Sequence, residues 1–128
     1  MNLFCAGRAV LLVGGAVGKP HLWFVLTDPD PATDQVLWVM MVSAKPHTDD
    51  TVVIVAGDHP WVQWESNVDY GSARFVPVSK LTSASVQGRL RLQQDMSQEL
   101  LARVRAGLLD SSHTIHDIKD RCRTLFDP

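Results

Sequence analysis

Cysteine is scarce in this chain, cationic excess is absent and no apolar run is long. The two cysteines, Cys5 and Cys122, stand near opposite ends. They make neither a metal-ligand nor a redox spacing, so free thiols in a reducing cytosol are expected. Twelve Lys and Arg face 14 Asp and Glu, a net charge of -2. That excludes a global pull toward nucleic acid or an anionic membrane; any basic surface must be local, from residues such as Arg8, Lys19, Lys45 and Arg74. Nothing approaches the ~20 consecutive apolar residues of a membrane-spanning helix. Ala9–Val17 has the look of a signal-peptide core, but one positive charge precedes it and no small-x-small cleavage site follows before Lys19-Pro20. Leu3-Phe4-Cys5 has its apolar run after the Cys rather than before it, unlike a lipoprotein box. A β-strand over Arg8–Val13 is the expected reading. Internal repeats and low-complexity segments are also missing.

What is present is an ordinary globular mixture, 45% hydrophobic and 20% charged over 128 residues. One domain, residues 1–128, is expected, large enough to bury roughly two-thirds of its unfolded surface. Its organising stretch is Gly18–Ser43. Two apolar strands, His21–Thr27 and Gln35–Ser43, flank the breaker cluster Asp28-Pro29-Asp30-Pro31-Ala32-Thr33-Asp34, where proline lacks the N–H a strand interior needs. Their apolar residues barely alternate, so the strands are covered on both faces or lie in a tightly curled sheet.

The rest of the chain reads in order. Gly14–Gly18 is a flexible turn. Ala44–Asp50 is a loop, Thr51–Val55 a β-branched strand, and Ala56–Pro60 a turn. Trp61–Trp64 is a short extended piece, Ala73–Val78 another strand, and Lys80–Ser85 a Ser/Thr-rich loop. Arg89–Leu92 alternates as a short final strand. Ser97 is an N-cap with Glu99 in the first turn, opening a helix to about Leu109. Ser112 or Thr114 caps a second helix with Ile115, Ile118, Cys122 and Leu125 on one face. The fold class is therefore α+β: a curled, mainly antiparallel sheet of five to six strands over about 8–93, then two C-terminal helices over about 96–126.

The order Gly18-Lys19-Pro20-His21, apolar strand, second strand ending Val42-Ser43, third strand Val52–Val55, Glu65-Ser66-Asn67-Val68 and Arg74–Pro77 resembles the MazF/PemK (Kid) family of type II toxins. The resemblance covers roughly residues 8–80 and implies an SH3-like barrel. It also implies a cytoplasmic bacterial endoribonuclease that cuts single-stranded RNA without a metal or other cofactor. Expected partners are the RNA, an antitoxin protein and a second copy in a homodimer, with no membrane. Lys19-Pro20 stands where Arg-Pro is usual, Ser43 matches the Thr/Ser position, and Ser66 to Val68 matches the later Ser-Val segment loosely.

Metal-free RNA cleavage needs a base, an acid and a cation for the phosphorane oxygens. Lys19 supplies a point charge where Arg would grip phosphate with a fork. His21 is of the residue type suited to acid–base work at neutral pH. Lys19, His21 and Ser43 are thus the candidate catalytic set. Arg74, Trp61, Trp64 and Ser66 are the candidate binding set, with the tryptophans able to stack on bases. Each also has a plain structural reading: a solvated turn lysine, a hydrogen-bonded edge histidine, a serine bonding loop backbone, tryptophans in core or interface. His113 and His116 share a helical face but lack further ligands for zinc. Two other functions remain open. One is a non-catalytic SH3-like module binding protein or nucleic acid through the Trp61–Tyr70 loop. The other is an unrelated enzyme using His21 or His59.

Overall fold

The computed structural model of the chain describes residues 3–13 and 19–126. The turn expected at Gly14–Gly18 lies outside them. Six strands and three helices follow in the order β1 (Ala9–Leu12), β2 (His21–Val25), β3 (Gln35–Ser43), β4 (Val53–Ile54), β5 (Ser66–Pro77), α1 (Val78–Val86), β6 (Leu90–Leu92), α2 (Gln98–Asp110) and α3 (His116–Phe126). They form one curled antiparallel sheet ordered β4-β5-β3-β2-β1-β6. The hairpin read as the middle of the core, β2 with β3, sits at the middle of that order. It is covered on both faces, which is why its apolar residues do not alternate with polar ones. Leu22, Phe24, Leu26, Leu37, Val39 and Met41 face a core shared with Leu100, Val104 and Leu108 of α2 and with Ile118 and Cys122 of α3. The intervening Val25 and Val36 face a second core with Phe4, Val10, Leu81, Ala84 and Leu90; Trp23 and Trp38 pack against it and stack at 4.0 Å between ring centroids.

Three expectations need correction. The Ser/Thr-rich stretch Lys80–Ser85 is not a loop but the body of α1, so the helices number three. Its Ser, Thr and Val residues have poor helix propensity; burial of Leu81 and Ala84, three apart on one face, overrides it. Gly88, at φ +77°, lets the chain leave the helix, and Arg89 N–H returns to the Ala84 carbonyl at 2.8 Å. Second, the strand expected to start at Ala73 starts at Ser66 and passes through Gly71 by a register shift opposite Trp38–Met40, where Ser72 Oγ accepts the Met40 N–H at 3.0 Å. Third, the β-branched strand Thr51–Val55 shortens to two residues because Asp49 takes the Thr51 N–H and hydroxyl and turns the chain there.

Ser97 caps α2 as expected, its Oγ accepting the Leu100 N–H at 3.0 Å. Thr114 does not cap α3; its hydroxyl donates to the Leu108 carbonyl at 2.7 Å. Of the apolar stripe read on α3, Ile118 and Cys122 are buried while Ile115 and Leu125 are exposed. Both C-terminal helices are tied to the sheet. Arg105 donates twice to the Leu26 carbonyl. Tyr70 donates its hydroxyl to the Val104 carbonyl, and the Arg121 guanidinium lies 3.7 Å from the centroid of the Phe75 ring.

Candidate functional site at the Lys19–Ser43 end of the sheet

β2 begins with His21 and β3 ends with Ser43, so antiparallel pairing brings the start of one beside the end of the other. Ser43 pairs with Ser66 at the start of β5. The loop between β4 and β5 carries Pro60, Trp61 and Trp64 back over this end. The result is a cleft of about 390 Å³ lined by Lys19, His21, Ser43, Trp61, Trp64 and Ser66 among others. Six of the seven candidate site residues therefore meet in one place, although they span 48 positions from Lys19 to Ser66. Arg74 is not among them. It pairs with Trp38, five residues before Ser43 on β3, and its guanidinium donates to the Gly71 and Ala73 carbonyls.

The side chains differ in what they leave free. His21 is exposed, and its Nδ1 makes a long 3.4 Å contact with the Met41 carbonyl. A carbonyl only accepts, so this contact places the proton on Nδ1 and leaves Nε2 as the basic nitrogen. Ser43 and Lys19 are exposed, and Lys19 enters no ion pair among the described residues. Ser66 is buried and its hydroxyl donates to the Trp64 carbonyl at 3.1 Å, fixing the loop. Trp64 is 66% exposed and Trp61 38%. That is a high exposure for so largely apolar a side chain, and both indoles line the cleft.

A second cleft, about 560 Å³, shares Lys19, His21, Val42 and Ser43 with the first and continues to Lys45, His47, Asp69 and His113. Lys45 was read with Lys19 as part of a local basic surface; His47 and His113 are members the sequence reading did not place here. His47 comes four residues after Ser43, a signal that was available. His113 comes from the α2–α3 loop, seventy positions after Ser43, and only the packing of that loop brings it over. Asp49 lines the same cleft but is occupied. It accepts the Thr51 N–H and hydroxyl and, at 2.6 Å, the Ser111 hydroxyl. Burial pushes its carboxyl up, yet the Ser111 and Thr51 hydrogen bonds and the nearby His113 together hold it below the usual carboxylate value.

The other histidine candidate is structural in its geometry. His59 is buried; its Nδ1 accepts the Trp61 N–H at 3.1 Å, so Nε2 carries the proton and donates to the Gln94 carbonyl at 2.6 Å. Both nitrogens are engaged. The cleft of about 470 Å³ beside it also holds Asp58, which accepts the Val55 N–H and pairs with Arg103 at 3.3 Å. His116 pairs with Asp120 on α3, away from either cleft. Among the described residues no group of three or more His, Cys, Asp or Glu is placed to hold a metal ion, and no helix is long and apolar enough to cross a membrane.

No family profile matches the chain and no curated protein sequence is similar to it. Its fold is similar to that in a crystal structure of MazE-MazF (Form-III) from Deinococcus radiodurans. The TM-score is 0.54 and the identity 20%, over 83% of this chain and 92% of that one. A curled antiparallel sheet with its helices at this coverage, sharing so little sequence, shows that the chain has a MazF-like fold.

Proposed function

We propose that the protein is a toxin of a toxin–antitoxin pair, acting in the cytoplasm as a metal-independent endoribonuclease on single-stranded RNA. The observation that carries this reading is the meeting of Lys19, His21 and Ser43 in one open cleft, beside two exposed tryptophans, at one end of a MazF-like sheet. In this reading His21 Nε2 takes the proton from a ribose 2′-OH. The 2′ oxygen attacks the adjacent phosphorus, the bond to the 5′ oxygen breaks, and the 5′ oxygen leaves with a proton from solvent. The Lys19 ammonium and the Ser43 hydroxyl stabilise the phosphorane oxygens. Trp61 and Trp64 hold bases by stacking. A homodimer is the working unit, and the antitoxin covers the cleft, as the MazE–MazF neighbour suggests by its pairing.

The test is growth of a bacterial host carrying the chain under a tight promoter, wild type beside Lys19→Ala. Arrest by the wild type alone is expected, with fragmented cellular RNA bearing 2′,3′-cyclic phosphate ends. Uninhibited growth with folded wild-type protein in the cells rejects the nuclease. It favours the second reading, which the 66% exposure of Trp64 supports: a module that captures its ligand through the Trp61–Tyr70 loop without cutting it, weakened by Trp64→Ala and indifferent to His21→Ala.

A further inference from the structure

The two edges of the sheet, β4 and β6, are finished differently. At β4 the Val68 N–H reaches the Val52 carbonyl. In the antiparallel pairing Ile54 therefore turns its main-chain groups to β5, and Val53 turns its own outward. That outward side is closed by one ion pair. Arg103 donates to the Val53 carbonyl at 2.9 Å, Asp58 accepts the Val55 N–H at 2.9 Å, and the two side chains meet at 3.3 Å.

At β6 no such closure is made. The pairing with β1 runs Val10–Leu92, Leu11–Arg91 and Leu12–Leu90. The Val13 N–H donates to the Arg89 carbonyl and the Gln93 N–H to the Ala9 carbonyl. Alternate residues Arg89, Arg91 and Gln93 thus face β1, while Leu90 and Leu92 direct their N–H and C=O groups away from it. Among the described residues neither leucine finds a hydrogen-bond partner on that side. No proline or bulge blunts the strand. Leu92 is 45% exposed. Arg89 and Arg91 are exposed and enter no ion pair among the described residues.

We propose that β6 accepts an added strand, an extended acidic segment of a protein partner. The N–H and C=O groups of Leu90 and Leu92 supply the attachment. Successive side chains of a strand point to opposite faces, so Arg89 and Arg91 stand on one face and Leu92 on the other. A segment alternating carboxylates with apolar residues sets its charges beside the arginines and its apolar groups beside Leu92. The same arginines reject a basic strand. They also oppose a second copy: with Leu90 of one chain opposite Leu92 of another, Arg91 would face Arg91. None of these residues lines the clefts that hold Lys19 and His21, so this surface is separate from them.

The test titrates a fluorescent peptide of about eight residues, alternating glutamate with valine, against the full chain. The same peptide with lysine for glutamate runs beside it. The glutamate peptide should bind and the lysine peptide should not. Leu92→Pro removes an N–H that faces away from β1. That variant should keep the wild-type far-ultraviolet spectrum and urea midpoint, and lose peptide affinity by about tenfold or more. Arg89→Glu/Arg91→Glu should reverse the preference, weakening the glutamate peptide by about fivefold or more and admitting the lysine peptide. Failure of the wild type to bind the glutamate peptide overturns the proposal, as does equal binding of both peptides. Undiminished binding by folded Leu92→Pro overturns it as well. Self-association of the free chain that Leu92→Pro abolishes would give the edge to a second copy and overturn the acidic partner.

Discussion

At the residue scale, Asp49 shows how a side chain can line a cleft and still be structural. Its carboxylate ties the loop after β3 to Ser111 at the end of α2, through two hydroxyls and one N–H. The group is held below its ordinary value in the folded chain, so its contribution is present above the unfolded carboxylate range, about pH 4. It disappears as pH falls through the lower folded value. Asp49→Asn should therefore lower stability near neutral pH by about 1–3 kcal/mol. The gap to wild type should narrow below about pH 4, as the wild-type carboxyl also becomes neutral. Urea midpoints from neutral pH to about pH 2 read this directly, and a gap of constant size would show that the charge of Asp49 contributes nothing. His59 makes the same point for the sequence reading. Asp58-His59 beside a tryptophan has the composition of an active-site turn, yet both ring nitrogens are engaged by backbone groups of Trp61 and Gln94. Which atoms a histidine has left over is a tertiary fact, and no local pattern reports it.

Elements were legible where their signals are local. Ser97 with Glu99 announced α2, the proline-rich cluster separated β2 from β3, and alternation in Arg89–Leu92 marked β6. The helix α1 was not legible, because serine, threonine and valine argue against a helix and only Leu81 and Ala84 meeting the second core argue for it. Contacts between elements distant in sequence were equally hidden, and the junction of β5 with α2 is one of them. Gly107 of α2 lies against Tyr70 and Val52 so closely that a Cβ there would collide with the Tyr70 hydroxyl and a Val52 methyl. Gly107→Ala should cost about 1–3 kcal/mol by overpacking, despite the better helix propensity of alanine. Tyr70→Phe removes the hydroxyl and its bond to the Val104 carbonyl, at about 0.5–1.5 kcal/mol, but it also clears part of the space. The double variant should then be less destabilised than the two singles added together, by roughly 0.5 kcal/mol or more. Strict additivity in a double-mutant cycle by chemical denaturation would mean that α2 shifts freely and the close approach is not felt.

At the scale of the whole molecule, one sheet serves two cores, and its curl places the start of β2 and the end of β3 at the same rim. That is why Lys19, His21 and Ser43 could be chosen together from a pattern of strand ends, with Ser66 added by the family resemblance, whereas Arg74 could not be excluded: the register shift near Gly71 sets where β5 runs relative to Ser43. The β6 edge of the sheet depends on chain segments from the two ends of residues 3–96 finding each other. Residues Val10–Leu12 pair with Leu90–Leu92, the Met96 N–H reaches the Gly7 carbonyl at 2.8 Å, and Phe4, 1% exposed, fills the second core. The helices α2 and α3 pack on the opposite face, in the first core. Because every strand of the central hairpin has residues in both cores, loss of one removes the support of the other, and unfolding should be a single cooperative transition. Phe4→Ala tests this at the point where the two cores are most separate. It should lower stability by about 3 kcal/mol and move two signals together: the near-ultraviolet dichroism of the stacked Trp23–Trp38 pair, which reports the second core, and the far-ultraviolet helix signal, weighted toward α2 and α3 over the first. Separate midpoints for the two would mean that the outer core melts by itself, and that the rim carrying Lys19 and His21 is held by the α2–α3 face alone.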